Sequence, residues 1–252
     1  MSSPILIKVG GNEIDDQAFL ANFVAAVAQL SRTTPLVIVH GGGKEIGELH
    51  QRLDVPFEFI DGQRVTTEAS LRLVEMVLNG SVNTRLTRWL VNAGVAALGV
   101  SGVDLGLVRV QPLRPNGRDL GFVGQVAEVH VTPLQRWLAD GIVPVLCPVS
   151  LGLDGHAYNT NADLVAAALA SALAVSQLVF VSNVPGVLLD GTLAPRLTVA
   201  EVEAALTTGQ IYGGMVPKVR SAMEALQTGV AAVMITNLAG LAAGRGTVIV
   251  QQ

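Results

Sequence analysis

Ile5-Leu6-Ile7-Lys8-Val9-Gly10-Gly11 is an apolar run broken by one lysine and closed by two glycines, and helical spacing follows at residues 19–30. The same order recurs at Leu36-Val37-Ile38-Val39, which passes through His40-Gly41-Gly42-Gly43 into a helical pattern at residues 45–53. Further runs stand at residues 95–100, 142–146, 178–181 and 231–236, and turn residues follow each; after the first three they are Ser101-Gly102, Cys147-Pro148 and Ser182-Asn183-Val184-Pro185-Gly186. Short buried strands alternating with helices predict an α/β protein with a largely parallel sheet covered on both faces. In such sheets ligands sit beyond the carboxyl ends of the strands, which is where the glycine clusters fall. Residues 108–129 depart from the pattern: Gly, Pro and Arg punctuate 114–124, and Val123-Gly124-Gln125-Val126 alternates, which predicts a β-hairpin. No repeat or linker divides the chain, and a lobe boundary is expected at residues 170–178.

Composition narrows the partners. Hydrophobic residues make up 50% of the 252 positions and aromatics only 4%, so Val, Leu, Ile and Ala must fill the core. A net charge of −4 gives no footprint for nucleic acid or an anionic membrane, so an anionic ligand must be held by local donors. The single cysteine, Cys147, excludes an intrachain disulfide and a cysteine-cluster metal site, and it reads as a buried residue at a strand end. No signal peptide is visible, and the apolar segment at 164–175 is short and fits a packed helix better than a membrane span. A cytoplasmic protein is expected.

Five segments carry possible chemistry, and each has a plain alternative. Lys8 inside an apolar strand is costly unless its ammonium reaches an anion or snorkels to solvent. The glycines after His40 let backbone N–H groups converge on an anion, or they make a tight turn; His40 itself reads as a packed, hydrogen-bonded residue. Arg64, in Asp61-Gly62-Gln63-Arg64-Val65-Thr66-Thr67, suits a two-pronged grip on a carboxylate, or is a surface arginine near a helix cap. Asn159-Thr160-Asn161-Ala162-Asp163 opens a helix, so its polar groups either cap that helix or contact ligand. Lys218, in Gly213-Gly214-Met215-Val216-Pro217-Lys218, is a cation near a positive helix end, which suggests an anionic partner unless it is merely solvated. Two lysines, two glycine turns, an arginine and a carboxylate suit phosphoryl transfer, where positioning and charge neutralisation dominate.

With these motifs assembled, the chain resembles the amino-acid kinase family over nearly its whole length. The segments occur in order: Lys8-Val9-Gly10-Gly11, Val39-His40-Gly41-Gly42-Gly43, Gly62-Gln63-Arg64-Val65-Thr66, Asp119-Leu120-Gly121-Phe122-Val123-Gly124, residues 159–163, Val184-Pro185-Gly186-Val187 and Tyr212-Gly213-Gly214-Met215-Val216-Pro217-Lys218. The resemblance implies one three-layer αβα sandwich with a mainly parallel sheet. Residues 1–175 would form an N-terminal lobe for the amino-acid substrate, and residues 176–252 a C-terminal lobe for ATP. It implies that Lys8 and Lys218 stabilise the transferring phosphoryl group and that Asp163 orients them. Gly10, Gly11, Gly42 and Gly43 would donate backbone N–H groups to phosphate and substrate, while Arg64 and Asn159 hold the substrate carboxylate. Ser182-Asn183-Val184-Pro185-Gly186-Val187-Leu188 and Gly209-Gln210-Ile211-Tyr212-Gly213-Gly214-Met215 would bind the nucleotide. Magnesium would ride on that nucleotide, with no metal site in the protein.

The branch most resembled phosphorylates N-acetyl-L-glutamate on its side-chain carboxylate. Asn183 departs from it, since Asp is frequent there, and looks like the branch that acts on carrier-bound α-aminoadipate. Gly62-Gln63-Arg64-Val65-Thr66 lacks the Ser-Arg pairing of that second branch. A non-catalytic sensor of the same fold would be expected to lack Lys8, Asp163 or Lys218, and all three are present. Residues 68–90 carry a wide apolar stripe on a long, broken helical segment, and the resemblance makes it the interface of a homodimer. In the resembling kinases inhibition by arginine goes with an extra N-terminal helix, for which residues 1–4 are too few, so insensitivity to arginine is expected; an aspartate kinase would be expected to carry a further regulatory domain, for which no residues remain after Gln252.

Overall fold

The run that opens the chain forms strand β1 (Ile5–Val9), followed by the one-turn helix α1 (Gly11–Ile14) and by α2 (Gln17–Leu30). The structure, a computed structural model, describes residues 3–252, the side chain of Asn12 excepted. Met1 and Ser2, half of the short arm behind the arginine expectation, lie outside the described residues. Strand β2 (Leu36–His40), α3 (Gly43–Arg52) and a small hairpin of β3 (Phe59–Ile60) and β4 (Gln63–Arg64) come next. Helix α4 (Glu68–Glu75) runs into a π-helical segment (Met76–Asn83) and on into α5 (Thr84–Asn92). The middle of the chain is β5 (Ala97–Gly102), β6 (Val108–Pro112), β7 (Val123–Val129), α6 (Thr132–Ala139), β8 (Val143–Gly152) and β9 (Ala157–Thr160). Then follow α7 (Ala162–Ala172), β10 (Gln177–Val181) and a second small hairpin, β11 (Leu188–Leu189) with β12 (Thr192–Leu193). The chain closes with β13 (Arg196–Thr198), α8 (Val199–Thr207), α9 (Met215–Gln227), β14 (Val233–Thr236), α10 (Leu238–Ala243) and β15 (Thr247–Val250).

Among the described residues, eleven strands form one sheet in the order β13-β15-β14-β10-β1-β2-β8-β6-β7-β9, with β5 also paired to β8. Pairing is parallel except for β14–β15, β6–β7 and β8–β9. The alternating side chains of the central strands split the interior in two. Leu6, Val37, Val39, Leu178 and Phe180 face Val165, Leu169, Val219 and Ala222 of α7 and α9. Ile7, Val9, Ile38, Val179 and Val181 face Phe23, Val24 and Val27 of α2, with Leu78 and Leu86 of the broken helix. Two apolar cores on opposite faces of one mainly parallel sheet make the expected three-layer sandwich.

Two local readings shift. The strand read at 95–100 lies at Ala97–Gly102, because Val95 is buried in the turn before it. The run at 142–146 does not stop at Cys147-Pro148; β8 continues to Gly152, leaving Cys147 buried inside the strand. Proline is tolerated there because the register with β5 breaks between Ser101 and Gly102, whose partners on β8 are Cys147 and Ser150. Downstream of that irregularity β8 changes neighbours, to β6 on one side and β9 on the other. The expected hairpin at 108–129 is present as β6 and β7.

Candidate active site

Strands β1 and β2 are parallel neighbours with Val9 opposite His40, so their glycine turns emerge side by side. Gly41 N–H donates to the Val9 carbonyl at 3.1 Å, extending the ladder one step into the turns. A Cβ on Gly11 would stand 2.5 Å from Gly42 Cα and 2.6 Å from its nitrogen, so only glycine permits this approach. Each turn feeds a helix, α1 from Gly10-Gly11 and α3 from Gly42-Gly43, and exposes backbone donors at the strand ends.

Lys8 shares the face of β1 that packs on α7, and its Nζ lies 2.7 Å from Asp163 Oδ1 in the first turn of that helix. Both side chains keep partial exposure, 19% and 29%. The apolar strand thus tolerates a charge because a carboxylate waits for it at the rim. Asp163 is not the helix cap: Asn161 takes that role, accepting the Asp163 N–H at 2.8 Å. The freed carboxylate reaches α9 as well, where Ser221 Oγ donates to Asp163 Oδ2 at 3.3 Å. Lys218, one turn earlier on α9, contacts neither Lys8 nor Asp163; its Nζ lies 3.5 Å from the Gly214 carbonyl.

Arg64 is 8% exposed, and its guanidinium lies 4.5 Å from the Phe57 ring centroid and 4.7 Å from that of Phe59. Such cation–π contacts contribute about 0.5–2 kcal/mol each. Arg64 Nη2 donates to the Gly43 carbonyl at 3.1 Å, while the buried Nη1 has no partner. Burial lowers the Arg64 pKa from its ordinary value, the mark of a cation short of anionic company. Asn159 Nδ2 donates to Thr66 Oγ1 at 3.1 Å, and that hydroxyl donates to the Arg64 carbonyl at 2.8 Å. Thr66 is in turn clamped by backbone bonds to Leu120 and Phe122, which explains the Asp119–Gly124 motif.

Lys8, Gly42, Gly43, Arg64, Asn159 and Asp163 line one cavity of about 450 Å³, with Ile46, Phe59, Leu78 and Pro148 as its apolar wall. A second cavity of about 470 Å³, between β7, α7 and α9, reaches Asp163 and Ser221. Its walls are chiefly small apolar residues with Glu128 and Glu224 among them, which is a poor setting for an anion. The first cavity is the candidate site.

The first expected nucleotide stretch starts at the same sheet edge, on the strand next to β1, and the second lies between α8 and α9. Ser182 follows β10, its N–H donating to Thr236 at 2.8 Å, and its hydroxyl receives the Val184 N–H at 3.2 Å. Pro185 leads into Gly186, whose φ of +150° suits glycine, and the buried Val187 donates to Thr247 Oγ1 at 2.8 Å. Leu188 opens the small hairpin, and Asp190 at its turn accepts from Gln210 at 3.1 Å, tying the two stretches together. In the second stretch Gly209 and Gly213 have positive φ, Ile211 is buried, Tyr212 is 78% exposed, and Gly214-Met215 start α9. Asn183 makes no side-chain hydrogen bond among the described residues.

His40 is fully buried at the root of the second turn. Its Nδ1–H donates to the Gly41 carbonyl at 3.0 Å, and Nε2 accepts from Asn83 Nδ2 at 3.0 Å. Burial pushes its pKa down to about 4, so the ring is neutral. Cys147 accompanies it in the core, its thiol pushed up to about 12 by burial and donating to Asn79 Oδ1 at 2.7 Å. A thiol so held is no nucleophile.

Several participants carry no motif. Phe57 and Phe59 are two apart in an extended segment, a spacing that puts both on one face. Ser221 stands three positions after Lys218, which on a helix is the same face. The partners of Asn83 are up to 62 residues away, and no local pattern announces them.

Residues 3–237 match the amino acid kinase family, and the chain belongs to it. It is 52% identical over 240 residues to the acetylglutamate kinase of Chloroflexus aggregans, covering 95% of this chain and 94% of that one. The acetylglutamate kinase of Chloroflexus aurantiacus (strain J-10-fl) is 53% identical over 242 residues, with 96% and 94% covered. Among solved structures, smu.665 from Streptococcus mutans UA159 superposes with a TM-score of 0.83 at 31% identity, covering all of both chains.

Proposed function

We propose that this chain acts as an acetylglutamate kinase, transferring the γ-phosphoryl group of ATP to the side-chain carboxylate of N-acetyl-L-glutamate. The observation that carries the reading is the cavity itself. An aromatic-framed arginine with an unpartnered Nη1, a lysine on its carboxylate and the second glycine turn, which the first abuts, form a site for two anions. Relatives of that name, half identical over nearly the full length, support the substrate.

The acceptor carboxylate is ionised at neutral pH, because its pKa is about 4, so no general base is needed. The barrier is repulsion between that carboxylate and the γ-phosphate. Donors fixed before the reaction lower it, since they need not reorganise as charge moves. In this scheme Arg64 and Asn159 hold the α-carboxylate end of the substrate, against the apolar wall. Lys8 and the N–H groups of Gly10, Gly11, Gly42 and Gly43 face the transferring group. Asp163 holds Lys8 and so works as an organiser. Lys218 approaches from the nucleotide side on α9, and the stretches 182–188 and 209–215 bind ATP in a C-terminal lobe beginning near residue 176. Magnesium bound to the nucleotide supplies further neutralisation of phosphate charge. A cytoplasmic homodimer completes the proposal, its interface the broken helix, where Met76 is 60% and Val91 52% exposed.

Release of ADP tests this directly, with N-acetyl-L-glutamate, glutamate, aspartate and carrier-bound α-aminoadipate offered in parallel. N-acetyl-L-glutamate should be preferred, and free glutamate should be much poorer because its ammonium replaces a neutral acetamide. Preference for the carrier-bound acceptor would overturn the substrate and leave the reaction class standing.

A further inference from the structure

The β1–β2 ladder and the Gly41–Val9 hydrogen bond join the two glycine turns at their root, but beyond it the contact between glycines has little to hold it. Gly11 and Gly42 offer no side chains to interdigitate, and α1 is a single turn, too short to be stable alone. A further tie lies on α5. Arg85 Nη2 donates to Asp15 Oδ1 at 3.0 Å and to Glu45 Oε2 at 3.0 Å. Asp15 is the residue that ends α1, the helix fed by Gly10-Gly11. Glu45 lies in the first turn of α3, the helix fed by Gly42-Gly43. One guanidinium nitrogen therefore bridges the elements that follow both turns.

The bridge is sheltered and reinforced. The side chains of Arg85, Asp15 and Glu45 are 27%, 16% and 24% exposed, and the other Glu45 oxygen accepts from Ser81 Oγ in the π-helical segment. Burial raises the Asp15 pKa, and the Arg85 charge opposes that rise. Lys44, Glu48 and Arg88 flank the same recess and leave its charge balanced. None of these groups lines the Arg64 cavity except Lys44, and Arg85 itself does not reach it.

We infer that Arg85 is a positioning residue for phosphoryl transfer, holding the two glycine turns at a fixed separation through Asp15 and Glu45. The inference rests on the phosphoryl-transfer reading, because its consequence is on donors that act in the transition state. Loss of the clasp lets the turns part, so backbone N–H groups meant for the transferring group must reorganise during the reaction. Binding of the acceptor, anchored by Arg64 and Asn159, is left in place.

The test pairs kinetics with hydrogen exchange on the unliganded chain. In Arg85→Met, amides of residues 10–15 and 41–46 should exchange at least tenfold faster. The kcat should fall on the order of tenfold to a hundredfold, as for lost preorganised donors. The KM for N-acetyl-L-glutamate should stay within about threefold, and Arg85→Lys should recover part of kcat. Glu45→Gln, a milder change, should shift exchange and kcat in the same direction if Arg85→Met does not fold. Unchanged exchange in the turns of either folded variant overturns the inference, as does faster exchange with unchanged kcat. Exchange needs no substrate, so it judges the clasp even where ADP release from the wild-type chain refutes the acceptor.

Discussion

At the scale of single residues, charge and burial decide what each group does. Lys8 and Lys218 are proposed to matter most when charge moves, so replacing either with alanine should lower kcat on the order of 10²-fold. Arg64→Lys keeps a charge and loses the planar fork, and should chiefly raise the KM for the acceptor. A Lys218→Ala enzyme with near-normal kcat would show the proposed arrangement to be wrong. His40 gives a prediction about stability. An unfolded histidine has a pKa near 6.5 and the buried one about 4, so the unfolded state binds more protons between those values. The stability due to the neutral ring is complete above pH 6.5 and is lost as pH falls toward 4, by about 3 kcal/mol. Urea midpoints measured across that window should fall with pH, and His40→Gln should flatten part of the slope; parallel slopes would contradict the assignment. Lys8, Arg64 and Asp163 stood out as a charge inside an apolar strand, an arginine in a turn-like stretch before a helix and a carboxylate at a helix start. Arg85 was not legible, since Asp15 and Glu45 stand 70 and 40 positions away and an arginine on an amphipathic helix looks like solvent dressing.

At the scale of elements, the strand–glycine–helix units were readable because each announces itself within a dozen residues. Fully apolar runs predicted parallel strands, and the pairs of glycines fixed where they end. The limits were where tertiary pairing overrules local signals. Pro148 reads as a stop, yet β8 passes through it, because the change of neighbours there removes the need for its N–H. Nor did spacing show that the helix over residues 68–92 widens into a π-helical segment. That segment delivers Asn83 to His40 and to the Val145 carbonyl at 2.8 Å, securing the root of the second turn. The glycines make a matched pair of tests. Gly11→Ala places a methyl against backbone, so it should cost about 1–3 kcal/mol of stability as well as activity. Gly43→Ala meets nothing within 4 Å but lines the cavity, so it should keep the wild-type thermal midpoint and raise the acceptor KM. Equal thermal midpoints for the two variants would refute the close contact of the turns.

At the scale of the whole molecule, one sheet carries both halves of the proposed reaction. Its central strand, β1, has the acceptor cavity toward β2 and the proposed nucleotide stretches toward β10. The α/β class and the sandwich followed from the alternation of apolar runs and helices, whereas the branching of β8 between two sets of neighbours depends on contacts no single segment encodes. Assembly is proposed through the broken helix, and light scattering should give twice the 26.2 kDa chain mass. Met76→Asp, which puts a charge on an exposed apolar position of that helix, should shift the mass toward one chain; a wild-type monomer would remove the interface. The central claim is that the group phosphorylated is a carboxylate. Its product is an acyl phosphate, which hydroxylamine converts to a hydroxamate. With N-acetyl-L-glutamate, ATP and magnesium, hydroxamate should accumulate one for one with ADP and disappear when the acceptor is left out. ADP released without hydroxamate would contradict the account.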